Sequence, residues 1–368
     1  MPILLILLGL ALLVAGGEVL VRGASRLAEV ARVPPVVIGL TVVAFGTSSP
    51  ELAVAMGAAL RGEPDFVTGN IIGSNIYNVL LVLGLSAVIV PLVVQRTLVR
   101  WDVPVMIAAS VGLLLAALDG NLSALEGAIF LAGLAAYLGI TIRFSRTRDA
   151  GTATDRGADE AGEADEFERE YHGRTASAGV VLLNVALVAG GLALLVIGAD
   201  RLVTGAVEVA ESLGVDRLVI GLTVVALGTS APELATSVVA AARGEREIAV
   251  GNIVGSNIFN ILGIAGLTML VAPGGVPVAD ALLRFDIPVL LAVAVACLPI
   301  FFRGHRLERW EGAVFLGYAV AYTTYLVLDV TGHRALEAFS TVMLAFVIPL
   351  TVLTFVVVSV RAIRGPGR

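Results

Sequence analysis

Two acidic residues, Glu51 and Glu233, lie inside long apolar stretches of the sequence, each at the end of a nearly identical motif, GTSSPEL and GTSAPEL. If these stretches cross a membrane, an ionised side chain at the bilayer centre costs about 2.5 to 3.5 kcal/mol and is rarely kept without a task. Arginines could neutralise the acids, but they cluster at the ends of the apolar stretches. We therefore interpret the two glutamates as the central functional residues.

The residues before each glutamate, 46–50 and 228–232, read Gly-Thr-Ser-Ser-Pro and Gly-Thr-Ser-Ala-Pro. Proline removes a backbone donor and glycine relaxes a helix, so the helix is expected to unwind there and free carbonyl oxygens. Carbonyls, hydroxyls and two carboxylates form an all-oxygen shell of the kind that Ca2+ prefers, whereas transition metals favour imidazole or thiolate. Two carboxylates neutralise one divalent ion, and protons or several Na+ ions could replace it. That competition is the physical basis of antiport.

The apolar segment after each motif carries a polar stripe at helical spacing. Asn70, Ser74 and Asn78 are four residues apart, and Asn252, Ser256 and Asn260 repeat the pattern, so each set lies on one helix face. We assign to the ion pathway Ser74, Ser256, Asn78 and Asn260. We assign to bonding between helices Asn70, Asn75, Asn252 and Asn257.

The composition places most of the chain in lipid. Of 368 residues 58% are hydrophobic and 15% charged, with a mean hydropathy of +0.96, whereas soluble domains are about 45 to 50% apolar and about 25% charged. The long apolar runs predict helices, because barrel strands would alternate over about ten residues. The predicted fold is an all-α polytopic membrane protein with eleven spans, at 3–21, 34–60, 66–91, 103–118, 123–143, 177–199, 217–242, 247–272, 285–302, 309–329 and 339–360.

The arginines predict the orientation, since the chain has no lysine. Placing the N-terminus outside puts 19 of the 24 basic residues on the inner side and five on the outer side. We therefore expect a cytoplasmic (inner) membrane protein with segment 144–175 inside. The first apolar run lacks a basic start and a cleavage site, so we expect a retained helix rather than a signal peptide.

An internal repeat organises the sequence. Residues 37–54 and 219–236 are identical at 15 of 18 positions at an offset of 182, and the same offset aligns 69–78 with 251–260 at 8 of 10 positions. It also brings Glu18 over Asp200. Five predicted spans separate equivalent positions, and because five is odd the two repeats must be inverted. Inverted repeats with paired helix interruptions are typical of secondary transporters, which bind substrate near the midplane.

The predicted domains follow from this repeat. Residues 1–143 form the first five-helix repeat, 144–175 an acidic cytoplasmic linker, 176–330 the inverted second repeat, and 331–368 an extra eleventh helix with a basic tail. The other acids look structural. Glu18 precedes Arg22 by four residues, a favourable helical pair, and Asp102 and Asp286 each precede a proline by two residues, as at a helix start.

The paired motifs, GTSSPEL with GSNIYN and GTSAPEL with GSNIFN, resemble the two α-repeats of the calcium/cation antiporter superfamily, specifically prokaryotic sodium/calcium exchanger homologues. The resemblance implies ten core helices in two inverted halves, and alternating access by sliding of residues 3–28 and 177–208 past a rigid remainder. It makes Glu51 and Glu233 the central calcium carboxylates. The further ligands that it implies are the oxygens of Thr47 and Thr229, flanking sodium sites from Ser48, Ser230, Ser74, Ser256 and the backbone carbonyls of Ala44 and Ala226, and Asn78 and Asn260 at the middle position.

The resemblance also sets the expected function. The chain is expected to exchange Ca2+ for Na+, without a cofactor or enzymatic activity, with inorganic cations and the lipid bilayer as partners and no nucleic acid. Relatives often carry aspartate at one of the last two positions, where this chain has Asn78 and Asn260, which argues against potassium co-transport. If three Na+ ions exchange for one Ca2+, each cycle moves one net charge.

Other functions compete with this expectation. A proton-coupled antiporter for Ca2+ or another divalent cation would use the same glutamates as proton carriers, and the sequence barely separates the two. A passive channel would need an open pore, and inverted repeats with occluded acids favour alternating access instead. An enzyme or a membrane scaffold would leave the two copies of the motif unexplained.

Overall fold

The protein is almost entirely helical. A computed structural model describes residues 2–31, 33–151, 178–214, 226–302, 305–354 and 356. The helices are α1 Pro2–Ala31, α2 Pro35–Thr47, α3 Ser49–Arg61, α4 Pro64–Ile89, α5 Leu98–Ala117, α6 Ala124–Gly151, α7 Ala178–Ser212, α8 Ala226–Thr229, α9 Ala231–Ala242, α10 Arg246–Val271, α11 282–302, α12 Arg309–Val330 and α13 Leu336–Thr354. The strands are β1 Leu92–Val93, β2 Asn121–Leu122, β3 Val276–Pro277 and β4 Arg306–Leu307. The predicted all-α class is confirmed.

The described residues do not test the full count of eleven predicted membrane spans. Among the described residues, eight helices are long and apolar enough to cross a membrane, and nine if α2 and α3 form one bent span. The start of the predicted span 217–242 lies outside the described residues, so eleven spans, ten of them in the core, stay a prediction. Helix α6 continues to Gly151, into the predicted linker, and the rest of that segment, 152–175, also lies outside the described residues.

Each half contains a broken helix at its GTSxPEL motif. Helices α2 and α3 meet at Ser48 with a bend of 45°, and Pro50 occupies the first turn of α3. Helices α8 and α9 meet in the same way at Ser230, whose backbone angles (φ −85°, ψ 6°) match those of Ser48 (φ −81°, ψ 7°). Proline cannot donate the hydrogen bond that would continue the helix. The interruptions expected from the sequence are therefore present in both halves.

The following helix of each half changes its winding at the polar stripe. A stretch of π-helix begins at Asn78 in α4 and at Phe259 in α10, just before Asn260. Such wide turns are uncommon in proteins and occur often at functional sites. In both halves the wider turn falls where the second motif ends.

Two small sheets join the halves to each other. Strand β1 pairs antiparallel with β4, and β2 pairs antiparallel with β3. Because β1 and β2 belong to the first half and β3 and β4 to the second, each sheet takes one strand from each repeat. The pairings are counterparts under the repeat and tie the halves together.

Helices α1 and α7 pack backbone to backbone along glycines. A Cβ atom on Gly16 would lie 2.8 Å from the nitrogen of Leu195, and one on Gly198 would lie 2.9 Å from the nitrogen of Leu13. Such close approach is typical of small residues at helix interfaces in membranes. The outer faces of both helices carry exposed apolar side chains, whereas α4 and α10 lie mostly buried at the centre.

Candidate functional site

The broken helices place both glutamates at the centre of the molecule. Glu51 and Glu233 lie in the first turns of α3 and α9, directly after the interruptions, and their exposed fractions are 1% and 0%. Among the described residues, no ion pair reaches either carboxylate, and the ion pairs that do form lie at exposed or half-exposed positions. Within the described part of the chain, no protein cation therefore neutralises the carboxylates.

Each interruption supports the glutamate of the opposite half. Ser48 Oγ donates a hydrogen bond to Glu233 Oε1 at 3.0 Å, and Ser230 Oγ donates to Glu51 Oε1 at 3.4 Å. Both serines are buried. The crossed contacts bring residues 179 and 185 positions apart into one cluster, which combines the two motifs into a single site.

Thr47 adds a second link between the halves. Its hydroxyl lies 3.0 Å from Asn252 Oδ1 and 3.4 Å from the Ala44 carbonyl, and Asn252 Nδ2 donates to Ser237 Oγ at 3.0 Å. The sequence assigned Asn252 to bonding between helices, and its bonds to Thr47 of α2 and Ser237 of α9 are of that kind, although they also bring it next to the site. Its position on the same helix face as Ser256 and Asn260 was the signal that could have placed it in the site.

The asparagines of the polar stripes meet across the halves. Asn78 Nδ2 donates to Asn257 Oδ1 at 3.1 Å, and Asn260 Nδ2 donates to Ser74 Oγ at 3.1 Å. All four residues are buried. Because the amide nitrogens take these contacts, the amide oxygens of Asn78 and Asn260 remain for another partner.

Several buried oxygens in this cluster have no hydrogen-bond donor in the described part of the chain. They are Glu51 Oε2, Glu233 Oε2, Asn78 Oδ1, Asn260 Oδ1 and Ser256 Oγ. Burying such an atom without a partner costs about 1 to 3 kcal/mol, and folded proteins keep few of them. Cations bound within the cluster would supply the missing partners. Carboxylate, amide and hydroxyl oxygens are ligands that Ca2+ accepts, and Na+ is likewise a hard cation.

The remaining predicted ligands lie in the same region. The Ala44 carbonyl accepts the Ser48 N–H at 3.0 Å as well as the Thr47 hydroxyl. Ala226 begins the described part of the second broken helix, and Thr229 is half-buried at its end. The structure thus brings the paired motifs together, and it adds Asn252, Asn257 and Ser237 as close neighbours.

Asp102 and Asp286 are two of the buried acids that lie outside this cluster. Asp102 Oδ1 accepts the Tyr137 hydroxyl at 2.9 Å, and Asp286 Oδ1 accepts the Tyr322 hydroxyl at 2.7 Å. The interpretation of both acids as helix starts was wrong, because each lies within a helix and is buried. These bonds tie α5 to α6 and α11 to α12, which stabilises each half separately.

Comparison with known proteins supports the same assignment across most of the chain. The family described as sodium/calcium exchanger protein matches residues 1–143 and 183–328. The inner membrane protein YrbG of Escherichia coli (strain K12) is 35% identical over 88% of this chain and 95% of its own length. The sodium/calcium exchanger MaX1 of Methanosarcina acetivorans is 34% identical over 88% of this chain and 97% of its own.

A solved structure has the same fold. The sodium–calcium exchanger NCX_Mj, studied with Na+ and Ca2+, matches with a TM-score of 0.71 at 31% identity, over 87% of this chain and 97% of the other. The similarity therefore extends over both halves and both broken helices.

Proposed function

Because the chain belongs to the sodium/calcium exchanger family, we propose that it exchanges Ca2+ for Na+ across the cytoplasmic membrane by alternating access. The observation that carries this proposal is the buried pair Glu51 and Glu233, each held by a serine of the opposite half. Their free oxygens, with those of Asn78 and Asn260, supply a hard oxygen shell. The chain is then a transporter rather than an enzyme, and its substrates are the ions.

The charge of the site supports an electrogenic cycle. Two ionised carboxylates neutralise one Ca2+, whereas three Na+ ions would leave one positive charge in excess. Asn78 and Asn260 are neutral, so they add no charge to either loaded state. Each cycle would then move one net charge, and a membrane potential of 100 mV would bias the exchange by about 2.3 kcal/mol.

Ions would gain access to the site when α1 and α7 move. The glutamates are closed to solvent, so a path must open in turn on each side. We place the N-terminus outside and the linker inside on the arginine distribution, and the similarity to a protein named as an inner membrane protein supports that membrane. Calcium extrusion driven by inward sodium flow is the proposed direction.

The test is calcium-45 uptake into proteoliposomes. Vesicles loaded with Na+ are compared with sodium-free vesicles that carry only a pH gradient, and valinomycin with potassium sets the membrane potential. Uptake driven by the sodium gradient and enhanced by an inside-positive potential would support the proposal. Uptake driven only by protons would establish the proton-coupled antiporter instead, and voltage-independent sodium-driven uptake would reject the electrogenic cycle. Glu337→Gln, in α13 and far from the motifs, is the matched control.

A further inference from the structure

The equivalent helices α1 and α7 contact the broken helices of the opposite halves unequally. Helix α1 packs along α9, where a Cβ atom on Gly17 would lie 3.2 Å from the Ala235 carbonyl oxygen. The repeat predicts the same contact between α7 and α3. Those two helices make at most marginal contact, although both belong to the described residues. Helix α1 therefore packs against the broken helix on one side, whereas the corresponding contact on the other side is missing although both glutamates stay buried.

An ion pair lies at the closed side. Glu18, one residue beyond Gly17, bonds the guanidinium of Arg243 through both of its carboxylate oxygens, and Arg243 follows the last residue of α9. Glu18 also pairs with Arg22 at 2.6 Å within its own helix. The first contact joins two elements, whereas the second stays within α1.

The repeat carries both partners of this ion pair into the other half. The offset of 182 takes Glu18 to Asp200 and Arg243 to Arg61, with the surrounding sequences RGE at 61–63 and at 243–245. In this structure no ion pair joins Asp200 to Arg61, both of which are described. Arg61 instead binds Glu63 at 3.0 Å, and Asp200 lies 3.8 Å from its neighbour Arg201. The repeat thus gives two equivalent pairs of charges, and only Glu18 and Arg243 are joined in this structure.

We propose that these residues form two latches that close in alternation: Glu18–Arg243 holds one side shut in this structure, and Asp200–Arg61 shuts the other side when α1 and α7 have moved. The proposal rests on the proposed function, because only an alternating transporter requires both states. In the proposed orientation the closed latch is cytoplasmic, so this structure corresponds to the outward-facing half of the cycle with both glutamates still buried.

All four latch side chains are partly exposed, as expected for ion pairs that must break in every transport cycle. The side chains of Glu18 and Arg243 are 26% and 41% exposed, and those of Asp200 and Arg61 are 65% and 61% exposed. Exposed ion pairs are weak, so each latch would bias the population of the two states by about two- to fivefold. A fully buried pair would hold one state too strongly. The competing bond from Glu63 would weaken the outer latch further.

The first test breaks the closed latch. Glu18→Gln and Arg243→Gln each remove it, and Arg22→Gln is the matched control because it removes only the pair within α1. Hydrogen–deuterium exchange of the purified wild-type chain and variants reports the state without requiring transport. We expect the two latch variants to raise exchange around residues 18–31 and 240–247 and to lower it around 55–66 and 198–206. The double variant should resemble either single variant.

The second test addresses the open latch. Asp200→Asn and Arg61→Gln should leave the outward-facing state favoured, with little change in exchange. Glu63→Gln frees Arg61 for Asp200 and should shift exchange in the same direction as Glu18→Gln. In oriented proteoliposomes, Glu18→Gln should raise the external Ca2+ concentration for half-maximal transport by at most about fivefold, because that concentration rises only as the outward-facing fraction falls.

Two results would overturn the latch. Exchange patterns of Glu18→Gln and Arg243→Gln that match Arg22→Gln would show that the pair does not bias the states. A change in Glu63→Gln opposite to that in Glu18→Gln would show that the two sides are not linked. Failure of the proposed function is separate, because it would appear as absent calcium flux in the wild-type chain while these exchange patterns remain measurable.

Discussion

The contacts at the centre of the molecule follow the symmetry of the repeat, whereas the ion pairs at its two ends do not. At the centre, Ser48 and Ser230 make the same crossed contact, and Asn78 and Asn260 both keep a free amide oxygen. At the ends, Glu18 is joined to Arg243 while the equivalent charges Asp200 and Arg61 stay separate. In the proposed exchange cycle, a site that serves both sides of a membrane benefits from symmetry, whereas the two closures would differ because only one is open at a time.

The largest expected effect comes from the central pair. Glu51→Gln and Glu233→Gln each leave a single carboxylate charge to bind a divalent ion. Each should reduce the calcium flux more than about 100-fold, which corresponds to a lost charge interaction of about 2.7 kcal/mol. The measurement is calcium-45 flux in proteoliposomes at matched protein density. Retention of normal flux in either variant would break the equivalence of the two halves.

The next effect concerns the contact of α1 with α7. A Cβ atom on Gly191 would lie 2.6 Å from the Leu20 nitrogen, whereas nothing described lies within 4 Å of one on Gly190. Overpacking of this kind costs about 1 to 3 kcal/mol, so Gly191→Ala should lower the melting temperature and Gly190→Ala should not. Thermal unfolding in detergent measures both. Equal melting temperatures would argue against tight packing of the two helices.

A smaller effect should distinguish the crossed serines. The Ser48 bond to Glu233 is 3.0 Å long and the Ser230 bond to Glu51 is 3.4 Å, near the limit for a hydrogen bond. A bond to a charged group contributes about 1.5 to 3 kcal/mol, so Ser48→Ala should raise the Na+ concentration for half-maximal exchange about tenfold and Ser230→Ala about threefold. Sodium titration of the flux measures this. Equal shifts would make the site more symmetric than the distances suggest.

The smallest effect is expected from the region outside the repeats. No residue of the apolar window of α13 is buried, and the Tyr318 hydroxyl of α12 donates to the Val347 carbonyl of α13 at 3.4 Å. Removal of residues 331–368 should therefore leave calcium flux within about twofold, as expected for changes at positions without buried contacts. Loss of flux in a correctly inserted protein would give this helix a role in the exchange cycle.

Much of the fold and the site could be predicted from the repeat. Two nearly identical motifs at a fixed offset located both helix interruptions, both glutamates and the polar stripes. The proline and glycine positions predicted the breaks at Ser48 and Ser230, because their backbone effects are local. Composition alone predicted the helical class and most of the apolar helices.

Contacts between distant residues could not be predicted in this way. The bonds of Thr47 to Asn252 and of Tyr137 to Asp102 depend on how the helices pack, and hydrophobic spacing does not record packing partners. The difference between the two ends could not be predicted either, since the repeated sequence gives both ends equivalent residues. Only the structure shows that Glu18 is paired in one of them.

The central claim is that the two halves build one cation site, and equilibrium binding tests it most directly. Calcium-45 binding to the purified chain should give one Ca2+ per chain, displaced by Na+, and Glu51→Gln and Glu233→Gln should each remove all of it. If each half held its own ion, the wild-type chain would bind two and each variant would keep one. That result would contradict the shared site.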